Sequence, residues 1–212
     1  WEDNRNGNWD IYMKDLATGG VEQRVSTSPG DNRVADISGD IVVWQSVIGG
    51  VADIRLKNIV TGVEQAVTSD AAYQNSPRIS GDLIVWEDYR NGNWDIYKKD
   101  LTSGVESPLA SGPSTQARPA IDREKVVYEC TAGGSYDIWM DIVPDTTPPV
   151  ISAQSPADGQ HTGCVSPVLS AGFSDNRAGV DSRTAHLTLD GQDVTSGATV
   201  TGNSVSYQPG VL

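Results

Sequence analysis

The sequence is poor in the residues that most active-site chemistry requires. Its 212 residues hold two histidines, His161 and His186, and none of them lies before residue 161. A Ser-His-Asp set needs a histidine beside its nucleophile, so residues 1 to 143 exclude that mechanism. Neither a Gly-x-Ser-x-Gly elbow nor a phosphate-binding loop occurs. The two cysteines, Cys130 and Cys164, make no zinc motif. In an oxidising compartment they could pair; otherwise they are a surface thiol and a small core residue. Basic residues are scarce, 15 against 28 acidic, for a net charge of −13 and a pI near 4.4. That surface repels nucleic-acid phosphates and anionic lipid. It suits an extracellular setting with divalent cations, or simply keeps the protein soluble. No apolar run approaches the length of a membrane span, and no segment sustains a 3.6-residue apolar period, so almost no helix is expected. The Asn-x-Ser/Thr acceptor for N-glycans is also missing.

What the chain has instead is repetition. Trp1-Glu2-Asp3-Asn4-Arg5-Asn6-Gly7-Asn8-Trp9-Asp10-Ile11-Tyr12 returns from Trp86 to Tyr97 with Tyr89 as its one change. Looser copies open at Trp44, carrying Asp53-Ile54, and at Tyr128, carrying Asp137-Ile138. The anchors at 1, 44, 86 and 128 are 43, 42 and 42 residues apart, the period of a propeller blade. Within one copy, Pro77–Ser80 is extended and Gly81-Asp82 turns the chain. Leu83–Asp88 is β-branched and aromatic, and Asn91-Gly92 signals a tight hairpin. Trp94–Leu101 and Val105–Ala110 complete four strands. The large rings at 1, 44, 86 and 128 are expected to pack between blades.

The pattern Pro-x-Ile-Ser-Gly-Asp-x-Ile-Val-Trp, then Asp-x-Arg-x-Gly-x-x-Asp-Ile-Tyr-x-x-Asp-Leu, then Gly-x-Glu, resembles the TolB-like β-propeller repeat. Its Asn-Arg-Asn-Gly-Asn-Trp-Asp-Ile-Tyr version is similar to repeats in large surface proteins of methanogenic archaea and some bacteria. The resemblance covers about residues 1 to 143 and implies an all-β fold, a partial propeller of about three and a half four-stranded blades. Blade two departs most, with Gln45-Ser46-Val47-Ile48-Gly49-Gly50 in place of the charged hairpin.

Residues 144 to 149, Pro-Asp-Thr-Thr-Pro-Pro, read as a stiff linker. From 150 to 212 the spacing of Val150–Ser155, Val168–Phe173, Thr184–Leu189 and Ala198–Tyr207 fits part of a β-sandwich. Asp-Thr-Thr-Pro-Pro-Val-Ile and Leu187–Gly191 resemble bacterial Ig-like domains, with a fibronectin-III-like module as the rival. The chain opens on Trp1, in the middle of a blade's second strand, and halts after some five sandwich strands. A fragment of a longer chain, or completion by partner chains, is therefore expected.

The candidate site lies in the repeated hairpins. Asp3, Asn6 and Asp10, with their counterparts Asp88, Asn91 and Asp95, could offer oxygens to calcium. Arg5 and Arg90 stand where a calcium loop wants a ligand and no bidentate glutamate follows, so a structural role is preferred. In that reading Asp10 and Asp95 accept backbone N–H groups of their own hairpins, and the arginines pair with carboxylates. A cation lined by Asp36 in the channel is a second metal reading, and no other cofactor is implied. Trp9 and Trp94, beside the loops, either pack inward or stack on sugar rings. Neighbouring carboxylates such as Glu87 and Asp88 point to opposite faces of a strand and cannot serve one sugar as an acid–base pair. No catalysis is expected within these residues. The expected function is a module of a secreted or cell-surface protein in adhesion, envelope structure or filament assembly. Other protein chains or surface polymers are its expected partners, a homo-oligomer being one such arrangement. The rival is an accessory binding region of an extracellular polysaccharide- or peptide-degrading enzyme.

Overall fold

The computed structural model describes residues 1–17, 19–157, 167–175 and 179–209. The chain divides into two compact units, Trp1–Val143 and Pro144–Leu212.

In the first unit every sheet is an antiparallel meander, because short turns between consecutive strands return the chain on itself, a set that recurs about every 42 residues. Blade one contains β1 (Glu2–Asp3), β2 (Asp10–Met13) and β3 (Gln23–Arg24). Blade two contains β4 (Asp31–Ser38), β5 (Ile41–Ile48), β6 (Val51–Asn58) and β7 (Glu64–Ala66). Blade three contains β8 (Gln74–Ser80), β9 (Leu83–Asp88), β10 (Asp95–Asp100) and β11 (Glu106–Ala110). Blade four contains β12 (Gln116–Asp122), β13 (Lys125–Cys130) and β14 (Asp137–Ile142). Strand order follows chain order in each, and all four sheets are open.

Alternation gives each blade two apolar faces, and these meet between blades. Ile11 and Val25 of blade one pack on Val42 and Trp44 of blade two. Val43, Ile54, Leu56 and Val67 of blade two pack on Ile79, Ile84, Trp86 and Tyr97 of blade three. Leu83, Val85 and Ile96 then pack on Val126, Tyr128 and Cys130 of blade four. Cys130 is thus a core residue rather than a surface thiol; Cys164, its candidate partner, lies outside the described residues. Trp44 and Trp86 are wholly buried, which at about 25 cal/mol per Å² makes each ring a major contributor to its interface.

Polar bonds repeat the same logic. The first strands of blades two to four, β4, β8 and β12, each carry a bulge with a left-handed residue, Val34, Ser76 and Arg118, at φ of 53°, 50° and 54°. A bulged N–H leaves its own ladder, and the preceding blade takes it up. Glu2 accepts from Val34 N and Glu87 from Arg118 N, both at 2.7 Å. Ser38 and Ser80 likewise accept from the turn residues Gly81 and Arg123, and Lys57 and Lys99 donate to Val25 O and Val67 O.

The hairpin between β9 and β10 is longer than the expected two residues. Asp88 pairs with Asp95, and the turn bond runs from Gly92 N to Tyr89 O, so Gly92 alone takes the positive φ, 86°. Asn91 needs no left-handed conformation there, and its side chain serves another purpose, described below.

The second unit holds β15 (Val150–Ser155), β16 (Leu169–Ser174), β17 (Thr188–Leu189), β18 (Gln192–Asp193), β19 (Thr199–Val200) and β20 (Ser204–Tyr207). One four-stranded sheet runs β15-β16-β20-β19, and β17-β18 form a separate ribbon. The expected strand Thr184–Leu189 is reduced to Thr188–Leu189: Thr184 ends a one-turn 3-10 helix, Ser182–Thr184, that Asp181 caps through Arg183 N, and residues 185–187 are irregular. The span Ala198–Tyr207 is a hairpin of two strands rather than one.

Candidate functional site

The two matching hairpins gather their polar side chains on the fully buried Asp10 and Asp95. Asp10 accepts from the side-chain amides of Asn6 and Asn8 at 3.3 Å, and from Arg24 at 2.6 Å and Ser26 at 3.2 Å. Asp95 accepts from Asn91 at 2.6 Å and Asn93 at 3.3 Å. Asn6 and Asn91 also bond Tyr12 and Tyr97 hydroxyls, tying each loop to its third strand. The expected donors were backbone N–H groups of the hairpin itself. The structure corrects this: asparagine amides do the work, and the one backbone donor to Asp95, Gly112 N, comes from the loop after β11. The hairpins' own backbone serves the opposite carboxylates instead: Arg5 N donates to Asp3 at 2.8 Å and Arg90 N to Asp88 at 3.0 Å.

Asp3 and Asp88 sit across the hairpin and turn toward arginine instead. Arg5 bonds Asp3 and Glu22, and this pairing holds the Asp3 carboxyl down at about 2. Arg90 bonds both oxygens of the buried Asp88 and reaches Glu106, and those hydrogen bonds push its pKa above the ordinary value. The six candidate calcium residues therefore form two separate carboxylate centres per hairpin, each met by donors. Among the described residues no group of three His, Cys, Asp or Glu side chains assembles as a metal would need. Asp36, offered as a channel ligand, accepts from Ile37 N and, across blades, from Ile79 N.

The equivalent aspartates in the divergent blades behave differently. Asp53 has no loop asparagines, and its Oδ1 is buried without a partner. Burial raises its pKa, against the opposing effects of Arg55 and Thr68. Asp137 is exposed. Trp9 and Trp94 are half-buried: the Arg33 guanidinium lies 4.2 Å over the Trp9 ring, and Tyr89 meets Trp94 edge-on at 5.1 Å. Of the histidines, His186 is exposed and 3.5 Å from Asp193, while His161 lies outside the described residues.

Sequence reasoning missed two features. Asn32, Gln74 and Gln116 form a column of buried amides at 42-residue spacing, a signal present in the sequence. Asn32 accepts from the Trp44 indole at 3.0 Å. The other feature is the pair of end faces. An open cleft of about 700 Å³ lies between blades one and two, lined by Trp1, Tyr12, Met13, Leu16, Ile37 and Val42. At the opposite end β14 exposes Ile138, Trp139, Met140 and Ile142.

No family model matches the chain, and no curated protein does. Solved structures do. TolB from Acinetobacter baumannii superposes with a TM-score of 0.56 at 16% identity, over 98% of this chain and 50% of that one. The β-propeller domain of the trilobed protease from Pyrococcus furiosus gives 0.51 at 16%, over 65% of this chain and 44% of that one. The acylaminoacyl peptidase of Pyrococcus horikoshii gives 0.51 at 12%, over 81% and 29%. The chain thus spans half the length of the Acinetobacter protein. At these identities the likeness is one of fold: an all-β chain whose structural neighbours are TolB-like β-propeller proteins.

Proposed function

We propose that this chain is a non-enzymatic binding and scaffolding module of a secreted or cell-surface protein, acting in adhesion, envelope structure or filament assembly. The observation that carries the reading is the employment of its polar residues. Asp10, Asp88, Asp95, Glu2 and Glu87 are each engaged in closing a loop or joining a blade to the next. Side chains held this way are stiff supports, and what they leave to solvent is an acidic, loop-rich surface. The antiparallel sheet after the Pro148-Pro149 linker supports an Ig-like companion module, a common way to space binding units along an extended surface protein. The repeats support membership among TolB-like repeats of archaeal and bacterial surface proteins. Antibody raised against residues 1 to 143 should label intact cells, and external protease should remove that signal. Labelling that appears only after lysis would overturn the reading.

A further inference from the structure

By repeat position β2, β6 and β10 are third strands, and each is paired along its outer edge with a fourth, β3, β7 and β11; β14, the third strand of blade four, has no such partner among the described residues. The fourth strands lie in a recurring segment: Gly20-Val21-Glu22-Gln23-Arg24-Val25-Ser26, Gly62-Val63-Glu64-Gln65-Ala66-Val67-Thr68 and Gly104-Val105-Glu106-Ser107-Pro108-Leu109-Ala110. Among the described residues none pairs with β14. The consequence is visible at one repeat position. Ile11, Ile54 and Ile96 are 2%, 0% and 0% exposed, and Ile138 is 71% exposed. Ile11 N and Ile54 N reach a fourth-strand hydroxyl, Ser26 and Thr68, and Val25 N and Val67 N return to Ile11 O and Ile54 O. By register Ile138 directs the same two backbone groups outward.

The charge at this edge is also altered. Lys57 stands opposite Glu64 and Lys99 opposite Glu106 in the third-to-fourth strand ladders. One repeat later the lysine has become Asp141. A fourth strand of this chain's own kind would bring a glutamate against that aspartate, and like charges directly opposite destabilise a ladder. On the other face Ile138, Met140 and Ile142 form an exposed apolar row.

The geometry points to β14 as an acceptor edge for strand addition. Its occupant is an extended segment from a partner protein, antiparallel to β14, with apolar side chains at alternate positions and a Lys or Arg opposite Asp141. Backbone bonds to the open edge supply affinity, and the basic residue supplies selectivity. Asp141 in place of lysine turns the edge away from this protein's own fourth strands and toward basic ones. This inference extends the binding role proposed above but does not depend on where the protein resides.

Two fluorescent peptides test it on the 212-residue chain: residues 62–69, Gly-Val-Glu-Gln-Ala-Val-Thr-Ser, and the same peptide carrying Glu64→Lys. The lysine peptide should bind about three- to tenfold more tightly, the range of an exchanged cross-strand charge pair. The difference should shrink in 1 M salt, roughly a 3 Å screening length. Hydrogen exchange at Ile138–Asp141 should slow when the peptide is added. Asp141 also accepts from the Tyr128 hydroxyl at 2.7 Å, so two variants are used: Asp141→Lys should reverse the preference, and Asp141→Asn, which keeps an acceptor for that hydroxyl, should abolish it. Equal binding, tighter binding of the glutamate peptide, or binding without protection of β14 would overturn the proposal. So would protection of β14 that grows with protein concentration alone, which would assign the edge to a second copy.

Discussion

One aspartate position, repeated four times, meets three environments. Asp95 is buried beneath Asn91 and Asn93, and replacing it by alanine leaves those amides without their acceptor. Asp95→Ala should cost about 1–3 kcal/mol in urea unfolding. Added calcium should leave that deficit unchanged, whereas micromolar calcium binding that vanishes with Asp95→Ala would revive the metal reading. Asp53 lacks the asparagines, and burial raises its pKa above the ordinary 3.8. The folded state then holds the proton more tightly than the unfolded state. The stability linked to that proton is complete below the unfolded value and is lost as pH rises through the folded one. Asp53→Asn should therefore raise Tm at pH 7, with a gain that fades as pH falls through the raised folded value and is gone below about 4. A gain independent of pH would show that the charge of Asp53 is not what costs stability.

At the scale of the element, the same side chain has opposite value at different places in the stack. Ile96→Ala opens a cavity in the core between blades three and four and should cost about 2–5 kcal/mol. Ile138→Ala, one repeat later, removes an exposed side chain and should fall within about 0.5 kcal/mol. Thermal or urea unfolding of the pair checks this, and equal losses would mean that β14 is covered. Glu87 joins neighbouring blades through Arg118 N and also holds Asn75. Glu87→Ala should cost about 1–3 kcal/mol, while Glu87→Gln, which keeps an acceptor oxygen, should recover part of it. Strands and turns of the blades were legible because β-branched runs and Gly-Asp or Asn-Gly pairs mark them directly. The bulges at Val34, Ser76 and Arg118 were not, since those three positions share no residue type; two of them, Val34 and Arg118, are tied to a glutamate of the preceding blade that lies far away in sequence. The Asn clamps were missed for a related reason. The hairpin signal identified Asn91-Gly92 but not the loop length, and so not that Asn91 and Asn93 turn their amides onto Asp95 while the loop backbone serves Asp88.

For the whole molecule, the 42-residue period marked propeller blades and the repeated motif resembled TolB-like repeats, and the solved structures agree in fold at low identity. The second unit was less legible because its short strands lack a repeat to compare, and the strand expected from Thr184 begins only at Thr188, after the turn that Asp181 caps. What holds the blades together is a set of interfaces written once per repeat, and what they leave open is the edge of β14. Residue-resolved hydrogen exchange on the native 212-residue chain tests that most directly. The amides of Ile54 and Ile96 should exchange through large opening events, at rates slowed by several orders of magnitude, and that of Ile138 near the rate of an unprotected peptide. Equal protection of all three would contradict a stack that ends in an open edge.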